Sequence, residues 1–210
     1  MRYEEFKKKF NNLPFVVERD ILLGKEARQV FRNQLNRWQK RGLVVKLKRG
    51  VYMFNRDERK LNPGDFFIAN QLCAPSYISL ESALSFYGLI PERVADTTSV
   101  TTKKTLSIRS IEGFFLYQHI KTIAFRGFRS QRDESGVDFF IAEPEKAVLD
   151  FLYLNIDKIP VDNKDIFSVS FRFQNLGGLK ARRVIELSKL FGSRKLLKIV
   201  DNLKAYIRKG

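Results

Sequence analysis

Cysteine and histidine are nearly missing from this chain: its 210 residues hold one of each, Cys73 and His119. A lone thiol forms no internal disulfide, so a reducing compartment, the cytoplasm, is expected. One histidine without a cysteine pair leaves no zinc set, and no metal or other cofactor is expected. Cys73, beside Leu72 and Ala74 in a predicted helix, reads as a buried structural thiol. His119 reads as a packed residue in a predicted strand with Phe115 and Tyr117. Long apolar runs are missing too. None approaches the roughly 18 residues of a membrane span, and Met1–Glu5 lacks a signal peptide's apolar region, so no membrane partner is expected.

Catalytic patterns are also lacking. There is no Gly-x-Ser-x-Gly elbow and no phosphate-cradling glycine loop. Carboxylates gather at Asp138, Glu143, Glu145 and Asp150, with Lys146 close by. A metal-dependent nuclease needs its acids and lysine to converge from strand ends, whereas Glu145 and Lys146 are adjacent. Glu143-Pro144-Glu145 reads instead as a helix start, with acids at the dipole's positive end and proline in the first turn. The chain is expected not to be an enzyme.

Acidic residues are in short supply: 23 Asp and Glu face 39 Lys and Arg, a net charge of +16. The excess is uneven. Residues 1–62 carry 17 basic against 7 acidic residues, 63–155 carry 9 against 11, and 156–210 carry 13 against 5. Two basic ends around a neutral middle point to a polyanionic partner, because each neutralised phosphate releases condensed counterions. A solvated basic coat is the alternative.

The pattern predicts an α+β protein: an N-terminal winged helix-turn-helix at 1–60, then a mixed α/β domain with a C-terminal helical segment over 63–210. Tyr3, Phe6 and Phe10 share one face of a first helix. A second helix is predicted over Val17–Leu23, with Gly24 as its C-cap. A third runs from Glu26 to Arg41, with Ala27, Phe31, Leu35 and Trp38 on one face and Gly42 at its stop. Strands at Val44–Lys48 and Val51–Phe54 follow, joined at Arg49-Gly50. Asn62-Pro63-Gly64 marks the boundary. Beyond it, helices are predicted at Asp65–Leu72, Leu80–Phe86 (capped by Ser79) and Glu143–Leu154. Strands are predicted at Thr98–Thr102, Gly113–Ile120, Thr122–Phe128 and Val137–Ile141, with Arg129–Gly136 as an exposed loop. Phe167–Phe173 alternates as a strand or an extended arm. Two basic helices, Leu179–Phe191 and Ser193–Lys209, end the chain, with Leu196, Val200, Leu203 and Ile207 as the core row of the second.

The third helix carries the candidate site. Opposite its apolar row stand Gln29, Arg32, Asn33, Asn36, Arg37 and Lys40. Arginine spans two acceptors on guanine, and an amide donates and accepts at once on adenine. Phosphate contacts are expected from Lys25, Arg28 and the wing residues Lys46, Lys48 and Arg49. The wing tip, with its two cations, suits a groove or a phosphate. The competing reading is an amphipathic helix with a basic exterior and no base contacts.

Three segments resemble the AbiEi-family antitoxins, regulators in type IV toxin–antitoxin and abortive phage-infection systems. They are Gln34–Leu43 running into Leu47–Tyr52, then Tyr77–Leu89, then Ala142–Asp150. The resemblance covers roughly residues 15–155. It implies a repressor that binds inverted repeats in double-stranded operator DNA at its own promoter. It also implies a functional partner, a nucleotidyltransferase-like toxin, opposed without a stable complex. A protein-interaction module, or a solitary regulator with no toxin, is the alternative.

Overall fold

A computed structural model describes residues 1–21, 25–160 and 166–207. Its elements in chain order form two sheets with helices packed on them. The first unit opens with α1 (Tyr3–Phe10), whose single fully buried side chain is Phe6. After β1 (Val16–Val17) and one 3₁₀ turn (Glu18–Asp20) comes α2 (Lys25–Lys40), then the hairpin β2 (Val44–Lys48) and β3 (Val51–Phe54). The strands pair antiparallel in the order β1-β3-β2. Gly50 turns the hairpin at φ +75°, a conformation that a side chain disfavours.

The second helix expected at Val17–Leu23 departs from this. Val16-Val17 extends β1 along β3, and only Glu18–Asp20 is helical; Leu23 and Gly24 lie outside the described residues. Two consecutive β-branched valines favour the pleated, half-buried position beside Tyr52 and Val51.

β3 is buried along its whole length, and that decides how the two units meet. Tyr52 and Phe54 join Phe6, Phe31, Leu35 and Trp38 in one core. Val51 and Met53, on the opposite face, join the core of residues 67–207. The small sheet is therefore covered on both sides. Phe15 stacks on Phe67 at 5.3 Å, and the Arg59–Glu112 ion pair (3.3 Å, side chains 5% and 7% exposed) ties the linker to the second sheet. Packing is continuous across the boundary read at Asn62-Pro63.

The second sheet has six strands: β4 (Ser76–Ile78), β5 (Thr97–Thr101), β6 (Leu106–Ser110), β7 (Gly113–His119), β8 (Phe128–Arg132) and β9 (Asp138–Ala142). Their order is β6-β7-β5-β4-β9-β8, with β4–β9 and β5–β7 parallel. Helices α3 (Asp65–Leu72), α4 (Leu80–Phe86) and α5 (Pro144–Leu154) cover it. Next come α6 (Ala181–Lys189), which packs on α5, and α7 (Arg194–Ile207), which packs on α6. Among the described residues no helix is long and apolar enough to cross a membrane.

Several local expectations are corrected. Thr122–Phe128 is not a strand: Thr122–Ala124 makes a 3₁₀ turn, and the strand begins after Gly127. At Gly127 the chain has φ +78°, and a Cβ there would meet a Leu187 methyl at 2.9 Å, so the backbone passes too close for a side chain. The expected loop Arg129–Gly136 is half strand, since β8 runs to Arg132 and pairs with β9. β8 and β6 are edge strands, and their polar composition hides the alternation while discouraging edge-to-edge pairing. Cys73 follows α3 instead of lying within it, and it is buried. Phe167–Phe173 is neither strand nor arm. It folds back through amide bonds from Phe171 to Ile166 and from Phe173 to Phe167, and Phe171 and Phe173 pack on Phe151.

Ser79 sits at the N-cap position of α4 but makes no cap bond. Thr98 on β5 takes that role, its Oγ1 accepting from the Ser82 amide at 2.9 Å. Ser79 Oγ instead donates to Asp150 at 2.8 Å.

Candidate nucleic-acid interface

α2 forms because its apolar residues recur at helical spacing. Phe31, Leu35 and Trp38 are buried against α1 and the small sheet, with Trp38 stacked on Phe6 at 4.9 Å. Ala27, expected in that row, is exposed one turn before the core begins. Arg28, Gln29, Arg32, Asn33, Asn36, Arg37 and Lys40 are all exposed. From Ala27 to Lys40 the helix contains no Asp or Glu. The side chain of Lys25 lies outside the described residues.

The exposed face is organised. Gln29 Nε2 donates to Asn33 Oδ1 at 3.2 Å, one turn along, so the two amides hold each other. Arg32 Nε donates to Glu18 Oε1 at 2.5 Å, with the arginine side chain still 50% exposed. Glu18 also donates its backbone amide to the Gly50 carbonyl at 2.9 Å. One residue thus couples the guanidinium on α2 to the tip of the β2–β3 hairpin. Lys46 and Arg49 on that hairpin are exposed.

Lys48 does not stand with them. Its ammonium donates to the Leu72 carbonyl at 2.5 Å, and burial lowers its pKa below that of an ordinary lysine. The cause is a bulge. The β2–β3 register slips between Lys46 and Lys48, which takes Lys48 off the face that alternation from Lys46 assigns it. The phosphate contact expected from Lys48 is replaced by an anchor between the hairpin and α3.

Residue-type reasoning passed over Val30, 58% exposed beside Gln29. Its position off the Phe31–Leu35–Trp38 row was the available signal. An apolar group there suits contact with a thymine methyl.

The acidic cluster is dispersed into structural roles. Glu145 accepts the Lys180 amide at 2.9 Å, and Asp150 is buried with Lys146, Tyr77 and Ser79. Asp138 pairs with Arg132. Glu143 takes a two-pronged contact from Arg183 at 2.7 and 2.8 Å, which joins α5 to α6. The Arg183 hydrogen bonds hold the Glu143 carboxyl below its ordinary range, against an opposing effect of burial. Stability from this pair is therefore complete above the ordinary glutamate pKa and fades as pH falls through the lowered one. Glu143→Gln is expected to cost about 1 kcal/mol at pH 7, a modest value because the pair is partly solvated. Urea denaturation at pH 7 and near pH 3 checks this: the difference from wild type should shrink at the lower pH. A difference unchanged by pH would remove the ion pair as its cause.

Among the described residues, no three His, Cys, Asp or Glu side chains gather as a metal site. No protein-family model matches the chain, and no curated protein matches it.

Proposed function

We propose that the chain is a sequence-specific DNA-binding repressor whose first unit acts as a winged helix-turn-helix. In this reading α2 enters the major groove, and the β2–β3 hairpin lies against the flanking backbone. The supporting observation is the outward face of α2. Between Arg28 and Lys40 it carries eight exposed amide or cationic side chains and no carboxylate, while the opposite face is sealed into a core. A merely solvated helix face has no need of this exclusion of acids, whereas phosphates and base edges do. The Gln29–Asn33 amide pair suits adenine, and Arg32, held by Glu18, suits guanine.

The resemblance of residues 34–52, 77–89 and 142–150 to AbiEi antitoxins supports a narrower reading. The chain then represses its own operon in the cytoplasm and opposes a nucleotidyltransferase-like toxin, with no catalysis of its own. Nuclease footprinting on the DNA upstream of its own gene tests the reading. Two protected, inverted half-sites are expected, about 10 base pairs apart or a multiple of that, the spacing for two copies on one face of the duplex. Affinity should fall steeply with salt, at a logarithmic slope of about −0.9 per phosphate contacted. No protection at any salt concentration, or equal affinity for scrambled DNA, would overturn it.

A further inference from the structure

The start of α1 and the end of α2 flank an open cleft of about 550 Å³. Its wall is cationic, from Arg2, Arg37, Lys40 and Arg41, and its floor is aromatic, from Tyr3 and Trp38. Among the described residues no acidic side chain lines it. The Tyr3 ring stands edge-on to Trp38 at 5.5 Å, and its hydroxyl donates to Glu58 at 3.1 Å. The aromatic floor is therefore held by the core and the linker. Glu58 is further engaged by Lys7 at 2.6 Å. Arg37, Lys40 and Arg41 form no ion pair among the described residues. Four like charges around one concavity repel one another, and an anion seated among them removes that cost.

Length along the helix indicates which anion. Asn33 and Arg41 are eight residues apart, about 12 Å at 1.5 Å per residue. The major groove is also about 12 Å wide. With Gln29, Arg32 and Asn33 over base edges, the end of α2 reaches the sugar–phosphate lip of the same groove.

We propose that this cleft seats a backbone phosphate of the bound duplex, held by Arg2, Arg37, Lys40 and Arg41. Arg37 and Lys40 then act on the phosphate, not on a base edge, and Arg2 and Arg41 join the interface. The proposal rests on the DNA-binding reading above and adds a second, sequence-independent half to it.

The test uses the full chain and its Arg2→Gln/Arg41→Gln variant. Both positions are exposed, so the fold is expected to persist. Affinity for the footprinted duplex and for a scrambled duplex of equal length is measured over a salt series. The salt slope should fall on both duplexes alike, by about 0.9 at most, because the cleft seats a single phosphate. The ratio between the two duplexes should stay within about twofold, as base contacts are untouched. A scan of single methylphosphonate linkages should find one position per half-site that weakens wild type more than the variant, which keeps Arg37 and Lys40 on that phosphate.

Unchanged slopes with DNA binding intact would overturn the phosphate seat and spare the DNA-binding reading. A collapse of the duplex preference would overturn it too, by making these cations base readers. If wild type binds neither duplex, both proposals fall. Inorganic phosphate, at matched ionic strength, distinguishes a free-anion site. Thermal protection by phosphate of wild type but not of the variant, with DNA slopes unchanged, would overturn the assignment to duplex DNA.

Discussion

Changing Gln29, Arg32 and Asn33 together to alanine should abolish sequence preference, a loss of about 10³-fold or more, while non-specific DNA binding persists. The three side chains project from one end of α2 into solvent, and two of them already hold each other through their amides. Amides fixed in this way lose little side-chain freedom when they meet a base, so deleting them removes direct contacts and prior ordering together. Arg32 is the only cation among the three, so the salt slope should fall by about one at most. All three are exposed, but Arg32 pairs with the mostly buried Glu18, so stability should fall by about 1 kcal/mol, and a thermal melt separates lost reading from lost folding. Operator and scrambled duplexes are titrated side by side at one salt concentration. If the triple variant keeps its preference, base reading lies elsewhere and α2 is not the recognition element.

Lys146→Met is expected to destabilise the fold by about 3–5 kcal/mol, because it leaves a buried charge uncompensated. Lys146 and Asp150 have no exposed side-chain surface, and they pair one turn apart on α5. Asp150 also accepts from Tyr77 at 3.0 Å and Ser79 at 2.8 Å, while the ammonium lies over the Phe191 ring at 4.4 Å. The pair thus bridges β4, α5 and the joint between α6 and α7. Burial pushes the Asp150 carboxyl up, and Lys146 leads the opposing push, joined by the Ser79 and Tyr77 hydrogen bonds. Without the lysine, the folded state favours a protonated Asp150. The defect should therefore be largest at neutral pH and shrink as pH falls toward the ordinary aspartate range. Lys146→Met/Asp150→Asn should recover most of the loss, since asparagine still accepts from Tyr77 and Ser79 with no charge to compensate. Denaturant unfolding at several pH values measures all three proteins. A Lys146→Met chain within 1 kcal/mol of wild type at pH 7 would mean that the pair does not hold these elements together.

How much was legible follows from where each signal resides. The two faces of α2 are written in sixteen consecutive residues. A period of 3.6 and the exclusion of acids from 27 to 40 need no knowledge of the rest of the chain. The hairpin is local in the same way, because Arg49-Gly50 between two β-forming runs allows few other turns. The unbroken apolar run Val51–Phe54 also carried a warning. A strand with no polar alternation is buried on both faces, as β3 is between its own core and that of the second unit.

The charge distribution, the helical period and the turn chemistry were determined by the sequence alone, since each depends on neighbours along the chain. Partners brought from far away were decided only by the tertiary structure. Lys48 finds a carbonyl 24 residues on, Ser82 takes its cap from Thr98, and Asp150 is satisfied by hydroxyls more than 70 residues upstream. The cleft between Arg2 and Arg41 belongs to the same class. Buried polar groups must be paired, but which group does the pairing depends on packing that brings distant segments together.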